Sequence, residues 1–129
     1  PVNESRFAFT RSGDERVDTV QAWKVDFRER RKPYLIGGDA PDACAGSGAF
    51  WIDPATGEVL RAVLQCGDSR QALSRLTVSY ARDAKTAMRL PMTMLDRAET
   101  NGGRLWVEGT CRYSNYRRFE TSGRLVVPK

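Results

Sequence analysis

The chain has 129 residues, a formal charge of +5, 40% hydrophobic residues and 29% charged ones. That is the size and balance of one folded domain, with too much apolar surface to stay disordered. No apolar run approaches the roughly 20 residues of a spanning helix, and the absence of histidine removes Ser-His-Asp and Cys-His chemistry, HExxH sites and C2H2 fingers.

Taken in chain order, the dominant period is two, the signature of strands. Phe7 and Phe9 alternate with Arg6, Ala8 and Thr10 as a short strand, and Ser12-Gly13-Asp14-Glu15 reads as a turn. Val17 to Arg28 then forms a long strand, with Trp23, Val25 and Phe27 on one side and Lys24, Asp26 and Arg28 on the other. Such alternation predicts one buried and one wet face. The stretch from Arg30 to Ser47 is loop-like, holding Pro33, Gly37, Gly38, Pro41 and Gly46 around an apolar Tyr34-Leu35-Ile36. A loop of this length either covers a groove or is a solvated excursion.

Gly48 to Ile52, the turn Asp53-Pro-Ala-Thr-Gly-Glu58 and Val59 to Leu64 predict a hairpin. Its proline presets φ and its glycine supplies a positive φ. Arg75 to Tyr80 is a further strand, turned by Arg82 to Lys85. Met88, Leu90, Met92 and Met94 follow on one face, and Pro91 among them suggests an edge or a bulge. This methionine stripe is either core or groove lining. Glu99 to Gly103 is an Asn-Gly type turn. Leu105, Val107, Gly109, Cys111 and Tyr113 then alternate with polar residues, and Leu125 to Val127 closes the chain. No segment has a persuasive helical period. The expected architecture is mainly β: a curved antiparallel meander forming a half-barrel, with little or no helix.

The cysteines can be read through the hairpin. If Asp53 pairs with Glu58, Cys44 falls opposite Gly67, one step from Cys66. A shift of one residue makes Cys44 and Cys66 cross-strand neighbours, close enough for a disulfide. The alternative is three unrelated reduced thiols. A disulfide implies an oxidising compartment. Cys111 reads as a small buried hydrophobe.

Chemistry-bearing motifs are absent. The three cysteines lack CxxC spacing, and Gly37-Gly38 and Gly102-Gly103 sit in turn contexts, not in phosphate loops. No metal site, cofactor or enzymatic activity is expected. The carboxylates Asp26, Glu29, Glu108 and Glu120 read as solvated face residues, since nothing in their spacing selects an acid/base pair. Basic residues cluster at Arg28, Arg30, Arg31 and Lys32, and again at Arg112, Arg117 and Arg118, where Tyr113, Tyr116 and Phe119 interleave. Alternation puts such arginines in water, so nucleic acid is not the expected partner.

Several runs are together distinctive: Ala22 to Glu29, Pro33 to Ile36, Gly48 to Arg61, Leu76 to Tyr80 and Gly109 to Phe119. They resemble uncharacterised secreted proteins of soil bacteria, chiefly acidobacteria. Those proteins look related in fold to the outer-membrane lipoprotein carriers and lipoprotein-sorting proteins. The resemblance covers Arg6 to Phe119. It implies a periplasmic or secreted location and a curved half-barrel that holds acyl chains, and it carries no catalytic residues.

These readings converge on a single β domain over residues 1–129, the C-terminal part of a longer secreted protein. Its expected role is an extracytoplasmic binding module for an apolar or lipid-like ligand. The expected ligand-binding residues on the concave face are Trp23, Val25, Phe27, Tyr80, Met88, Met92, Met94 and Tyr113. The competing expectation is a structural or protein-interaction domain, packing on a region before Pro1 or on another envelope protein.

Overall fold

The computed structural model describes residues 4–68 and 72–119. Seven strands form one sheet: β1 (Phe7–Val17), β2 (Val20–Glu29), β3 (Ser47–Ile52), β4 (Val59–Asp68), β5 (Ala72–Arg82), β6 (Arg89–Thr100) and β7 (Leu105–Arg112). Their spatial order is their chain order and every neighbour is antiparallel, so the fold is an open meander. Among the described residues the helical segments are two short 3-10 turns, Glu4–Arg6 before β1 and Asn101–Gly103 between β6 and β7. No helix among the described residues is long and apolar enough to cross a membrane.

Register assigns the faces. Trp23 is opposite Ile52, Val25 opposite Phe50 and Phe27 opposite Gly48. This aromatic face continues through Ala62 and Leu64 on β4 and Leu76 and Val78 on β5 to Met94 on β6. The other, charged face carries Lys24, Asp26 and Arg28, then Trp51, Arg61, Gln65 and Arg75. A small core sits at one end of the charged face: Val17, Ala22, Ala49, Trp51 and Leu60, flanked by Val20 and Val63. A single layer buries side chains only by curling around them. No large apolar side chain among the described residues is fully buried, as expected where no second layer packs on the sheet.

Three local readings need correction. Ser12 to Glu15 is not a turn. β1 runs through it with a bulge between Arg11 and Gly13, and the chain reverses at Asp18-Thr19, where Asp18 takes a positive φ of 52°. The extra bulge residue imitated a turn in the hydrophobic pattern. The methionine stripe is also broken. Between Ser79 and Tyr80 the register of β6 shifts, so Met92 is an extra residue and Met94 pairs with Val78 while Leu90 pairs with Ala81. Pro91, which has no N–H to donate, sits at this bulge as its chemistry allows. Met88 lies outside the strand, in the Asp83–Met88 turn, where its carbonyl accepts the Asp83 N–H. Cys111 is exposed, not buried, because β7 is an edge strand. Leu125 to Val127 lies outside the described residues.

Gly48 is required by close approach. A Cβ there would overlap the Val63 carbonyl and the Phe27 ring. We expect Gly48→Ala to lose about 1–3 kcal/mol in urea denaturation, the cost of overpacking. Gly109→Ala, where a Cβ meets nothing within 4 Å, should be neutral or mildly stabilising.

Candidate functional site

The clearest candidate site is built by the long segment between β2 and β3. Residues 30–46, though largely exposed, fold back over the aromatic face as a flap, with Leu35 and Ile36 facing the sheet. The two bridges Tyr34–Gly38 and Ile36–Cys44 give it internal order. A disulfide joins Cys44 to Cys66 on β4, with Cα atoms 5.7 Å apart. The pairing agrees with the sequence, though not through strand register: Cys44 lies in the flap, before β3 begins, and reaches β4 across the sheet face.

Glu29, at the end of β2, is the second tether. Its side chain is buried and ion-paired with Arg6 at 3.1 Å. Its Oε1 also accepts the Leu35 N–H at 2.9 Å, and its Oε2 accepts the Gly46 N–H at 3.2 Å. The Glu29 N–H donates to the Gly46 carbonyl at 2.8 Å. One carboxylate thus gathers the turn that precedes β1 and two points of the flap, Leu35 within it and Gly46 at its end. The reading of Glu29 as a solvated face residue is overturned. A strand-end carboxylate gives no sequence signal that distant N–H groups will enclose it.

Between flap and sheet lies an apolar pocket of about 290 Å³, walled by Phe7, Phe9, Phe27, Phe50, Leu35 and Ile36. Phe27 is its centre. It stacks on Phe50 with centroids 5.0 Å apart and meets Phe7 edge-on at 6.1 Å. These separations are the favoured aromatic geometries. The pocket follows from alternation on three neighbouring strands: odd residues of β1 before its bulge, odd residues of β2 and even residues of β3 project to one face.

Of the expected ligand residues, only Phe27 lines this pocket. Val25 lies on the same face, opposite Phe50, and Trp23 further along, covered by the Arg11 guanidinium 4.7 Å from its ring centroid. Tyr80 and Met88 come together at another corner, in a hollow of about 430 Å³ with Glu58, Arg82 and Arg89. There Arg89, and after it Arg82, hydrogen-bond Glu58 and hold its carboxyl below the usual range. Met94 and Tyr113 meet through the Tyr113 hydroxyl and the Met94 sulfur at 3.4 Å, beside Met92, whose carbonyl accepts the Tyr113 N–H. Four strand spacings, roughly 19 Å, separate Phe27 on β2 from Met94 on β6, so the eight residues form no single site. Phe7, Phe9, Phe50, Leu35 and Ile36 were legible as apolar positions, but only the path of the flap brings them together.

A larger hollow, about 900 Å³, is on the opposite, charged face and includes Lys24, Arg28, Trp51, Arg61 and Arg75. Trp51 is clamped there. Its indole N–H donates to Glu15 at 2.8 Å, and Lys24 and Arg61 lie 5.4 and 5.6 Å from its ring centroid. Lys24 donates to the other Glu15 oxygen at 2.8 Å. That bond, then the indole N–H, lowers the Glu15 pKa, and the same bond raises that of Lys24. Comparison with protein-family models, curated proteins and solved structures gives no significant match.

Proposed function

We propose that the protein is a non-catalytic, extracytoplasmic binding module that holds an apolar or amphiphilic, lipid-like ligand against its aromatic face. The observation that carries this reading is the phenylalanine-walled pocket beneath the flap. Its volume lies at the lower end of the range for small-molecule sites. It suits one ring or a short alkyl segment, with the rest of the ligand running along the exposed Phe9 and Leu35 surfaces. Binding would draw on burial of apolar surface, roughly 25 cal/mol per Å² before association costs. The disulfide supports an oxidising compartment.

The test uses N-phenyl-1-naphthylamine, a neutral fluorescent probe, displaced by 1-decanol. Phe9 and Leu35 are 54% and 62% exposed, so Phe9→Glu and Leu35→Glu leave the fold intact while placing a charge at the pocket mouth. Each should weaken probe binding about tenfold or more, because a carboxylate cannot be desolvated there cheaply. Unchanged affinity in both variants, or no probe binding to the intact protein, rejects the reading.

A second reading, a structural or protein-interaction domain of a larger envelope protein, is favoured by β7. Leu105, Trp106 and Val107 are 65%, 56% and 74% exposed on this edge strand. Leu105 and Val107 share one face and Trp106 takes the other, and apolar groups exposed together along a sheet edge mark interaction surfaces. A partner covering them would protect the β7 amides from exchange, whereas a free ligand-carrying monomer would leave them open.

A further inference from the structure

The charged face has a layout that its composition does not announce. Register places its side chains in rows across strands β2 to β5. One row is Lys24, Trp51, Arg61 and Ser79; a second is Asp26, Ala49, Val63 and Thr77; a third is Arg28, Ser47, Gln65 and Arg75. Successive rows are two residues apart along each strand, roughly 7 Å. The middle row is short and forms a floor. The outer rows carry long cations and form walls about 13 Å apart. The result is a trough running across the strands, the hollow of about 900 Å³.

Its charges are unevenly satisfied. Lys24 is paired with Glu15. Among the described residues no carboxylate lies within ion-pair distance of Arg28, Arg61 or Arg75. Arg75 donates only to the Gln65 amide oxygen, at 3.3 Å, and Arg61 lies over the Trp51 ring. Asp26 is the acid among the described lining residues, and Glu15, outside the lining, bonds both Lys24 and Trp51; Glu15 first and Asp26 after it raise the Lys24 pKa. Ser47, Gln65, Thr77 and Ser79 add hydroxyl and amide groups between the cations.

We infer that this trough binds an anionic polysaccharide, a chain of sugars bearing carboxylate or sulfate groups. Guanidinium groups pair such oxyanions in bidentate fashion, and the hydroxyl and amide groups match sugar hydroxyls. The aromatic content argues against single-stranded nucleic acid, whose bases need open stacking surfaces. Trp51, the aromatic side chain of the first wall row, is 8% exposed with Lys24 and Arg61 over its ring. The trough and the pocket under the flap are on opposite faces, so the two sites can be tested separately.

Calorimetric titration of the intact protein with oligogalacturonate and with dextran sulfate, beside neutral maltooligosaccharide, tests the inference. At low salt either anionic chain should bind and the neutral one should not. The double variant Arg28→Gln/Arg75→Gln should weaken binding about tenfold or more and flatten the salt dependence by about one unit of slope per arginine. Arg16→Gln/Arg104→Gln removes the same charge outside the trough and should change affinity less than about twofold, the remainder being long-range screening. Equal weakening by both pairs reduces the effect to net charge and overturns the site. So does absence of binding by both anionic chains. Tighter binding of an oligothymidylate through Arg28 and Arg75 would overturn the ligand class.

Discussion

Replacing Glu29 by alanine should cost about 3–5 kcal/mol, the largest single-residue loss expected in this chain. Removing one partner of a buried ion pair leaves the other charge and its donors without compensation. Here the stranded groups would be the Arg6 guanidinium and the N–H groups of Leu35 and Gly46. The Glu29 side chain is 0% exposed and that of Arg6 only 19%, so water does not reach all of them freely. The Arg6 Nε is already buried without a partner, which leaves that side chain little alternative bonding. A domain of this size has about 5–15 kcal/mol of stability, so Glu29→Ala would consume much of it. Glu29→Gln keeps the volume but turns one acceptor into a donor facing other donors, and should fall between alanine and wild type. Urea denaturation of both variants checks this, with Arg11→Gln as the comparison. The Arg11–Asp14 pair is exposed on both sides and should contribute no more than about 1 kcal/mol. A Glu29→Ala loss that small would mean that the flap is not organised by the carboxylate.

The meander was legible because its strands alternate cleanly. In β2 local pattern and final register agree, and in the β3–β4 hairpin they agree except at Leu60, a bulge residue between the Ile52–Val59 and Trp51–Arg61 pairs. The failures occur where one residue is inserted. At Ser12 and at Met92 a bulge resets the period, and each displaces the residues beyond it relative to a simple count. The same sensitivity explains the dispersed ligand residues. Trp23 and Tyr80 are positions on strands and Tyr113 directly follows β7, but which strands come within reach of one ligand depends on how far the sheet extends sideways. The flap was ambiguous because its anchors are non-local. Glu29 and Gly46 are 17 residues apart, and no periodicity encodes such a contact. The charged trough was hidden for another reason: its arginines are scattered among acids in sequence, and only register separates Arg28, Arg61 and Arg75 from the carboxylates.

The second large effect is expected at the disulfide. Cys44 and Cys66 are 22 residues apart, and cross-linking a loop of that length removes denatured-state entropy equivalent to about 3 kcal/mol. Cys44→Ala/Cys66→Ala should lose about that much in urea denaturation. The bond has a second consequence that its entropy does not measure. Cys44 also bridges to Ile36 within the flap, and Ile36 walls the apolar pocket. The double variant should therefore release the flap and weaken N-phenyl-1-naphthylamine binding even at temperatures where the sheet stays folded. Loss of the disulfide and loss of Glu29 should combine to less than their sum, because each releases the same segment and neighbouring tethers are not independent. The exposed Cys111 thiol supplies an internal control. In the native, unreduced protein iodoacetamide should add to Cys111 alone; after reduction and unfolding it should add to all three cysteines. Alkylation of Cys44 or Cys66 without reductant would mean that the flap is held by Glu29 and its own bridges alone, and the stability loss of the double variant should then fall towards the cost of two ordinary side-chain truncations.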